Sequence, residues 1–315
     1  MLNRRHLRIK ILQMLYAYYQ SGDENLVKFE DDLFNSIDRV YDLYLLLLLT
    51  MPELVVAAEN KMEDRKKKLR PTQDDLHPSL KFTSNQIFRK IFQSRQIREA
   101  SEQRKTNWLG DEKKEIFRKL FLHIRESETY FEYMNNGENS FENDKSFAVN
   151  LFKLEIANSE LLQNFFEEVS IHWMDDLDHT CSMVLKTIKA CQEKENFSIL
   201  PLYKPNDSEE EFVRNLFQKT ISMNAENELL INELTTNWEL DRIAKMDIIL
   251  LKMGLTELQI FSEIPTKVTL NETIEISKFY STPKSNTFIN GILDEAIDRL
   301  TKNKKIIKEG RGLVN

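Results

Sequence analysis

Apolar residues recur at intervals of three and four along nearly all of this chain, the spacing that places them on one face of an α-helix. The first such set is Leu7, Ile11, Met14, Leu15 and Tyr18. The chain has only seven glycines and seven prolines, which leaves few tight turns of the kind that join strands. The sequence therefore predicts an all-α fold. Breaks between helices are expected near Gly22, 71–78, Gly110, 135–137 and 201–207.

A constant offset of 65 positions relates two stretches of the chain. The matched residues are Phe147 with Phe212, 150–152 with 215–217 (both Asn-Leu-Phe), Trp173 with Trp238, Asp176 with Asp241, and Leu185 with Leu250. Repeated apolar positions imply repeated packing, so we interpret the offset as two related helical hairpins.

Bulk properties favour an intracellular protein. Cys181 and Cys191 are too sparse for a disulfide framework, which favours a reducing compartment. The basic N-terminus lacks the apolar core and cleavage site of a secretory signal. The longest apolar run, Leu43 to Met51, is followed by Pro52 and is shorter than the roughly 20 residues that span a bilayer. We expect a buried helix there, and a cytoplasmic protein without a membrane segment.

Four cations and no acid occupy the first ten residues, at Arg4, Arg5, Arg8 and Lys10. They begin a predicted helix from Arg4 to Gln20. Cations oppose the dipole at a helix start, at a cost of roughly 0.3–1 kcal/mol each. Such residues are poorly placed for stability alone but well placed to meet an external polyanion. A disordered basic leader is the alternative reading.

Two further basic clusters stand out although the formal net charge is −7. The cluster 65–70 precedes Pro71 and reads as a solvated helix end, where cations offset the dipole. The other is C-terminal: Lys302, Lys304, Lys305, Lys308 and Arg311.

Catalytic signatures are weak. The sequence has no glycine-rich phosphate loop before a helix and no Cys-x-x-Cys pair. One metal-like set is His172, Asp175, Asp176 and His179. A solvated polar helix face explains it better than a metal site, so a metal-dependent hydrolase using His172 and His179 is disfavoured. We predict no enzyme activity, no cofactor and no metal.

A loop at 281–286 leads into a helix that carries Phe288 in its first turn. Ser285 or Asn286 can cap this helix, leaving backbone amides that could seat a phosphate. The Phe288 ring could stack on a base of single-stranded RNA or pack into the core, and composition alone leaves both open. Gly291 within the helix indicates close helix packing.

These residues resemble the NusB family of transcription antitermination factors, in the long form found in Bacteroidetes-like bacteria. One matching block is the arginine-rich opening, 4–16, and the other runs from about 212 to 300. The second contains the pattern P-x-K-V-x-x-N-E at 265–272 and F-I-N-G-I-L-D at 288–294. Some ribosomal-RNA methyltransferases carry a similar domain, but this chain has no glycine-rich cofactor loop.

The resemblance implies a NusB-like helical bundle with a large helical insertion that contains the duplicated hairpin. Residues 1–22 and 205–302 would form the RNA-binding core, 23–204 the insertion, and 303–315 a basic flexible tail. It implies a non-enzymatic protein that pairs with a ribosomal small-subunit protein, NusE. Together they would bind boxA single-stranded RNA in ribosomal RNA leader transcripts and help RNA polymerase resist termination.

Ten RNA-binding positions follow, mainly from matching the family motifs. They are Arg4, Arg5, Arg8, Lys10, Gln13, Tyr16, Lys252, Lys284, Ser285 and Phe288. Lys252 stands where the family usually has Arg, so a bidentate phosphate contact becomes a point charge. Lys284 occupies a position that is frequently acidic in the family and should strengthen RNA attraction, whereas His6 replaces what is often another Arg.

A second hypothesis is a helical protein-interaction scaffold in the transcription or ribosome-assembly machinery, with weak or no RNA binding. The net charge of −7 and the size of the insertion motivate it.

Overall fold

A computed structural model describes residues 2–203, 208–235 and 243–309. Within these ranges the chain forms fifteen α-helices and no strand, which confirms the all-α prediction. They are α1 Arg4–Ser21, α2 Leu26–Lys66, α3 Gln73–Leu76, α4 Gln86–Gln93, α5 Arg95–Arg104, α6 Asp111–Ile124, α7 Glu128–Asn135, α8 Phe141–Leu151, α9 Glu160–Val169, α10 Leu177–Ala190, α11 Glu209–Ser222, α12 Asn224–Leu234, α13 Lys245–Ile260, α14 Thr266–Tyr280 and α15 Ser285–Lys302. A π-helical turn, Phe152–Ile156, follows α8, and a 3₁₀ helix, Ile171–Asp176, precedes α10.

Two compact units make up the described chain. The central unit is Asp38–Leu202, and the terminal unit is Leu2–Ile37 with the described residues from Tyr203 onward. The boundaries between the two units fall between residues 37 and 38 and between residues 202 and 203. The predicted boundaries of the insertion were between residues 22 and 23 and between residues 204 and 205. Helix α2 therefore has residues in both units: Leu26 to Ile37 belong to the terminal unit and Asp38 to Lys66 to the central unit. The functional division into core and insertion stays a prediction.

The predicted apolar run forms the core of the central unit. Leu43 to Leu48 are at most 6% exposed, as expected for a buried helix. The helix does not end after this run: α2 continues through Pro52, which is itself buried, to Lys66. By length and composition α2 could cross a membrane, but 67% of its most apolar window is buried inside the protein. Burial of that kind is typical of a core helix.

The terminal unit is built around α13. This helix packs against α1, α11, α12, α14 and α15, and every residue from 249 to 258 is buried. At its glycine, Gly254, α13 approaches α14 closely, because a Cβ there would lie 3.2 Å from Thr273 Oγ1. Gly291 behaves differently from the prediction: it is exposed, and a Cβ there would meet nothing within 4 Å.

The offset of 65 positions has a structural counterpart. The central unit has α8, α9 and α10 in succession, and the terminal unit has α11, α12 and α13 at corresponding positions. The copies differ where α8 passes into the π-helical turn, since α11 has no such interruption. Trp238 and Asp241 lie outside the described residues.

Members of both remaining basic clusters contact other residues of the protein. Arg65 and Lys68 lie 2.6 and 3.0 Å from the buried Asp75 carboxylate, at the end of α2 as predicted. Residues 303–309 were predicted to begin a flexible tail. Within this range Lys308 Nζ donates to the Phe261 carbonyl (2.7 Å) and the Glu309 amide to the Ser262 carbonyl (3.1 Å). The flexibility of residues 303–315 stays a prediction. The rest of the tail, with Arg311, lies outside the described residues.

Candidate RNA-binding surface

The start of α1 presents two arginines at the surface. Asn3 caps the helix, its side chain accepting the His6 amide at 3.0 Å. The Arg5 guanidinium makes two hydrogen bonds to Glu272 of α14, at 2.7 and 2.9 Å, and the Arg4 guanidinium lies 4.0 Å from Glu263. The Arg5 and Arg4 side chains are nevertheless 43% and 31% exposed. Both charges are therefore within reach of an external anion.

Arg8 is not at this surface. It is 2% exposed, and its guanidinium bonds both oxygens of the Glu257 carboxylate, which is 1% exposed, at 2.6 and 2.7 Å. Thr269 Oγ1 donates to the same carboxylate at 2.7 Å. Arg8 and Thr269 thus fasten α1 and α14 to α13. A phosphate that took Arg8 away would leave a buried carboxylate uncompensated, so we assign Arg8 a structural role.

Two predicted lysines are also largely buried. Lys10 is 3% exposed and Lys252 is 7% exposed. The Lys252 ammonium lies 3.4 Å from Glu228 and 5.2 Å from the centre of the Tyr19 ring. Burial also raises the pKa of Tyr19 to about 12. Lys252 cannot reach RNA without a change in these contacts, and Lys10 is covered by the fold.

The start of α15 is organised by a buried aspartate rather than by a side-chain cap. Lys284 is the N-cap residue and is exposed, and no side-chain hydrogen bond caps the helix. The predicted capping residue Ser285 instead is 1% exposed and donates to Asp247 of α13 at 2.7 Å. The Ser281 hydroxyl donates to the same carboxylate. Ser285 therefore holds the α14–α15 loop against α13, and Lys284 is the charge that this loop presents.

Phe288 lines a groove in the terminal unit. The groove measures about 800 Å³ and lies along the first turns of α15, with Lys284, Thr287 and Gly291 also in its wall. The Phe288 ring is half-buried, so it is neither fully packed into the core nor fully free to stack on a base, the two alternatives that the sequence left open. Because Gly291 faces open space, it leaves room in the groove instead of admitting a neighbouring helix.

The arginine end and the Phe288 groove belong to opposite ends of α13. Glu257 binds Arg8 near the end of α13, and Asp247 binds Ser285 near its start, about 15 Å away along the helix axis. Helix α1 runs between these ends, because Gln20 in its last turn accepts from Lys245 at 3.1 Å.

The two remaining predicted positions lie along α1. Tyr16, 40% exposed, follows Arg5 by three helical turns and so shares its face. Gln13 is half-buried one turn earlier.

The metal-like set lies in the 3₁₀ helix and the first turn of α10, not on one α-helical face. In the described parts of the chain, no three His, Cys, Asp or Glu side chains are arranged to hold a metal ion. Cys181 and Cys191 are both buried and unbonded to each other, and burial raises the pKa of each thiol.

Sequence reasoning missed the carboxylates that face the α1 arginines. Glu257, Glu263 and Glu272 lie some 250 positions away along the chain, and helical periodicity carries no information about such pairs. The motif 265–272 did include Glu272, but without indicating Arg5 as its partner. The pairing matters chemically: Arg5 holds the pKa of Glu272 below its usual value, so this carboxylate stays charged and competes with any incoming phosphate.

A family model and individual relatives each match part of the chain. The model described as the NusB family matches residues 179–298. A transcription antitermination protein NusB from Salinibacter ruber is 43% identical over 107 residues, 34% of this chain and 67% of that protein. The Natranaerobius thermophilus protein of that name is 40% identical over 72 residues, which are 23% of this chain and 52% of that protein. The Chloroherpeton thalassium protein is 44% identical over 79 residues, 25% of this chain and 37% of that protein. No solved structure matches the chain significantly.

Proposed function

The chain belongs to the NusB family, and we propose that it is a cytoplasmic, non-enzymatic transcription antitermination factor that binds boxA-like single-stranded RNA. In this proposal the RNA lies in ribosomal RNA leader transcripts. The protein acts with the ribosomal small-subunit protein NusE, within the antitermination complex of RNA polymerase. Relatives over 40% identical bear the name transcription antitermination protein, which supports the general role.

The observation that carries RNA binding is the solvent-facing pair Arg4 and Arg5 at the start of α1. Both guanidiniums are partly exposed, and each faces a carboxylate that is itself partly exposed. Exposed ion pairs are worth about 0–1 kcal/mol, so an RNA phosphate can replace Glu263 or Glu272 at small cost. Arg8, Lys10 and Lys252 are buried, and their direct contact with RNA is not part of the proposal.

Two different contacts give affinity and sequence choice. Phosphates bound by Arg4, Arg5 and Lys284 would release counterions, which makes affinity fall steeply with salt. A base stacked on Phe288 in the groove would be read by its edges, since sequence-specific recognition of RNA uses unstacked single-stranded bases. Tyr16, with Gln13 beside it, lies along α1 between these contacts.

The test compares the wild type with an Arg4→Ala/Arg5→Ala variant by fluorescence anisotropy on a labelled boxA-like strand and a scrambled strand. We expect the variant to bind both strands at least tenfold more weakly at moderate salt, with a shallower salt dependence. The matched control is Arg118→Ala, because Arg118 of α6 makes the same two-bond contact with Glu115 on an exposed surface. Unchanged affinity of the double variant would refute the proposed site.

The scaffold alternative makes a different prediction in the same experiment. A scaffold would bind the ribosomal protein but leave the RNA unshifted, with and without that protein. The net charge of −7 motivates this alternative, and the exposed cations at the start of α1 weigh against it.

A further inference from the structure

Phe279 is the most exposed phenylalanine in the described part of the chain. Its side chain, in the last turn of α14, is 82% exposed, compared with 73% for Phe92 and 67% for Phe131. A ring so exposed buries almost no apolar surface in the fold and so adds little to its stability. Single exposed apolar residues are common, and the position of Phe279 is therefore what decides its meaning.

The ring lies on the same face of α14 as the partner of Arg5. Glu272, which binds Arg5, precedes Phe279 by seven residues, or nearly two complete turns. The two side chains are therefore on one stripe of the helix and about 10 Å apart along its axis. Phe279 thus lies on α14, about two helical turns beyond the Glu272 carboxylate that binds Arg5.

Helices α1 and α14 run in the same direction from that end. Arg8 near the start of α1 and Thr269 near the start of α14 bind one carboxylate, that of Glu257. Further along, α1 reaches Lys245 through Gln20, and the end of α14 reaches Asp247 through Ser281. Phe279 is therefore carried toward the start of α13, the end at which the Phe288 groove lies.

The exposed rings of Tyr16 and Phe279 thus lie at intermediate positions along the length of the terminal unit. Tyr16 on α1 and Phe279 on α14 both lie between the Arg4–Arg5 end and the start of α15. Lys284 follows Phe279 by five residues, in a loop that Asp247 fixes through Ser281 and Ser285. Cationic side chains alternating with exposed rings are the usual construction of a single-strand binding surface.

We propose that Phe279 is a second base-stacking platform, which binds a nucleotide between the phosphates held by Arg4 and Arg5 and the base held by Phe288. The proposal rests on the RNA-binding function proposed above. Stacking on an open ring tolerates any base, because every base has a π-face. Phe279 therefore adds affinity without sequence choice, whereas Phe288 in its groove contributes the choice.

The experiment measures the affinity of the full chain for a boxA-like and a scrambled strand by fluorescence anisotropy. Phe279→Ala is expected to weaken binding to both strands by about tenfold, as loss of one stacked base predicts. Phe279→Trp should bind as well as the wild type or better, and Phe279→Leu should behave like the alanine variant because leucine has no π-face. Phe92→Ala, at another highly exposed ring, in α4, is the matched control and should change nothing.

Each outcome decides between the two proposals. Full affinity of Phe279→Ala or Phe279→Leu, with weakened binding by Arg4→Ala/Arg5→Ala, overturns the stacking platform and leaves the proposed function in place. Wild-type affinity in all of these variants overturns both. If Phe279→Ala binds RNA normally but binds the ribosomal protein partner less tightly, the ring is a protein contact and the proposal is wrong.

Discussion

Replacement of Arg8 by methionine tests whether this residue is structural. Arg8 and Glu257 are 2% and 1% exposed and are joined by two short hydrogen bonds. Removal of one member of a buried ion pair costs about 3–5 kcal/mol, mostly because the other charge is left buried. Thr269 still donates to Glu257 in the variant, so we expect a loss near the lower limit, about 3 kcal/mol.

The assay is urea denaturation combined with hydrogen exchange at the amides of α13, which reports the terminal unit specifically. Arg5→Met is the matched control, because its partly exposed pair with Glu272 should be worth no more than about 1 kcal/mol. The double variant Arg8→Met/Glu257→Gln should recover most of the loss, since it removes the stranded charge. If Arg8→Met costs no more than Arg5→Met, the buried-pair reasoning is refuted and Arg8 returns as a candidate RNA contact.

Three further predictions concern separate sites. Glu272→Gln removes the carboxylate that competes with phosphate for Arg5, so RNA affinity measured by anisotropy should rise several-fold. The control Glu115→Gln in α6 should leave the affinity unchanged. Equal affinity of Glu272→Gln and the wild type would contradict the competition. The backbone amide of Thr72, with Arg65 and Lys68, holds the pKa of Asp75 far below its ordinary value of 3.8. The wild type should therefore exceed Asp75→Asn in stability above about pH 4 and lose this advantage as the pH falls, and a pH-independent difference in thermal denaturation would argue against it. Gly291→Ala should raise the free energy of unfolding by up to about 1 kcal/mol, because the added methyl meets open space. Gly254→Ala should stabilise the protein less or destabilise it, since its methyl would press on Thr273. Calorimetry that ranks the two variants in the opposite order would contradict the packing.

Local features of the sequence predicted the all-α class and the limits of the first helix. The spacing around Leu7 and Leu15 and the turn at Gly22 delimit α1 almost to the residue, because periodicity and the left-handed φ of 66° at Gly22 are local properties. Pro52 shows where local reasoning fails, since burial of the surrounding residues maintains α2 despite the hydrogen bond that proline cannot donate.

The candidate site was predicted less well, for a physical reason. A cation in a sequence pattern looks the same whether it faces solvent or a distant carboxylate, and only the fold distinguishes Arg5 from Arg8. Ser285 or Asn286 was predicted to cap α15, but the Ser285 hydroxyl donates to Asp247 instead, and no side-chain hydrogen bond caps the helix. Gly291 was expected at a helix contact, and the close approach is at Gly254 instead.

The most direct test of RNA binding is photocrosslinking of a boxA-like strand substituted with 4-thiouridine, followed by mass spectrometry of the crosslinked peptides. The proposed surface predicts crosslinks to peptides that contain the start of α1 and the first turn of α15, and their loss when unlabelled boxA-like RNA competes. Crosslinks confined to peptides of the central unit, or none at all under conditions of measurable RNA binding, would contradict it.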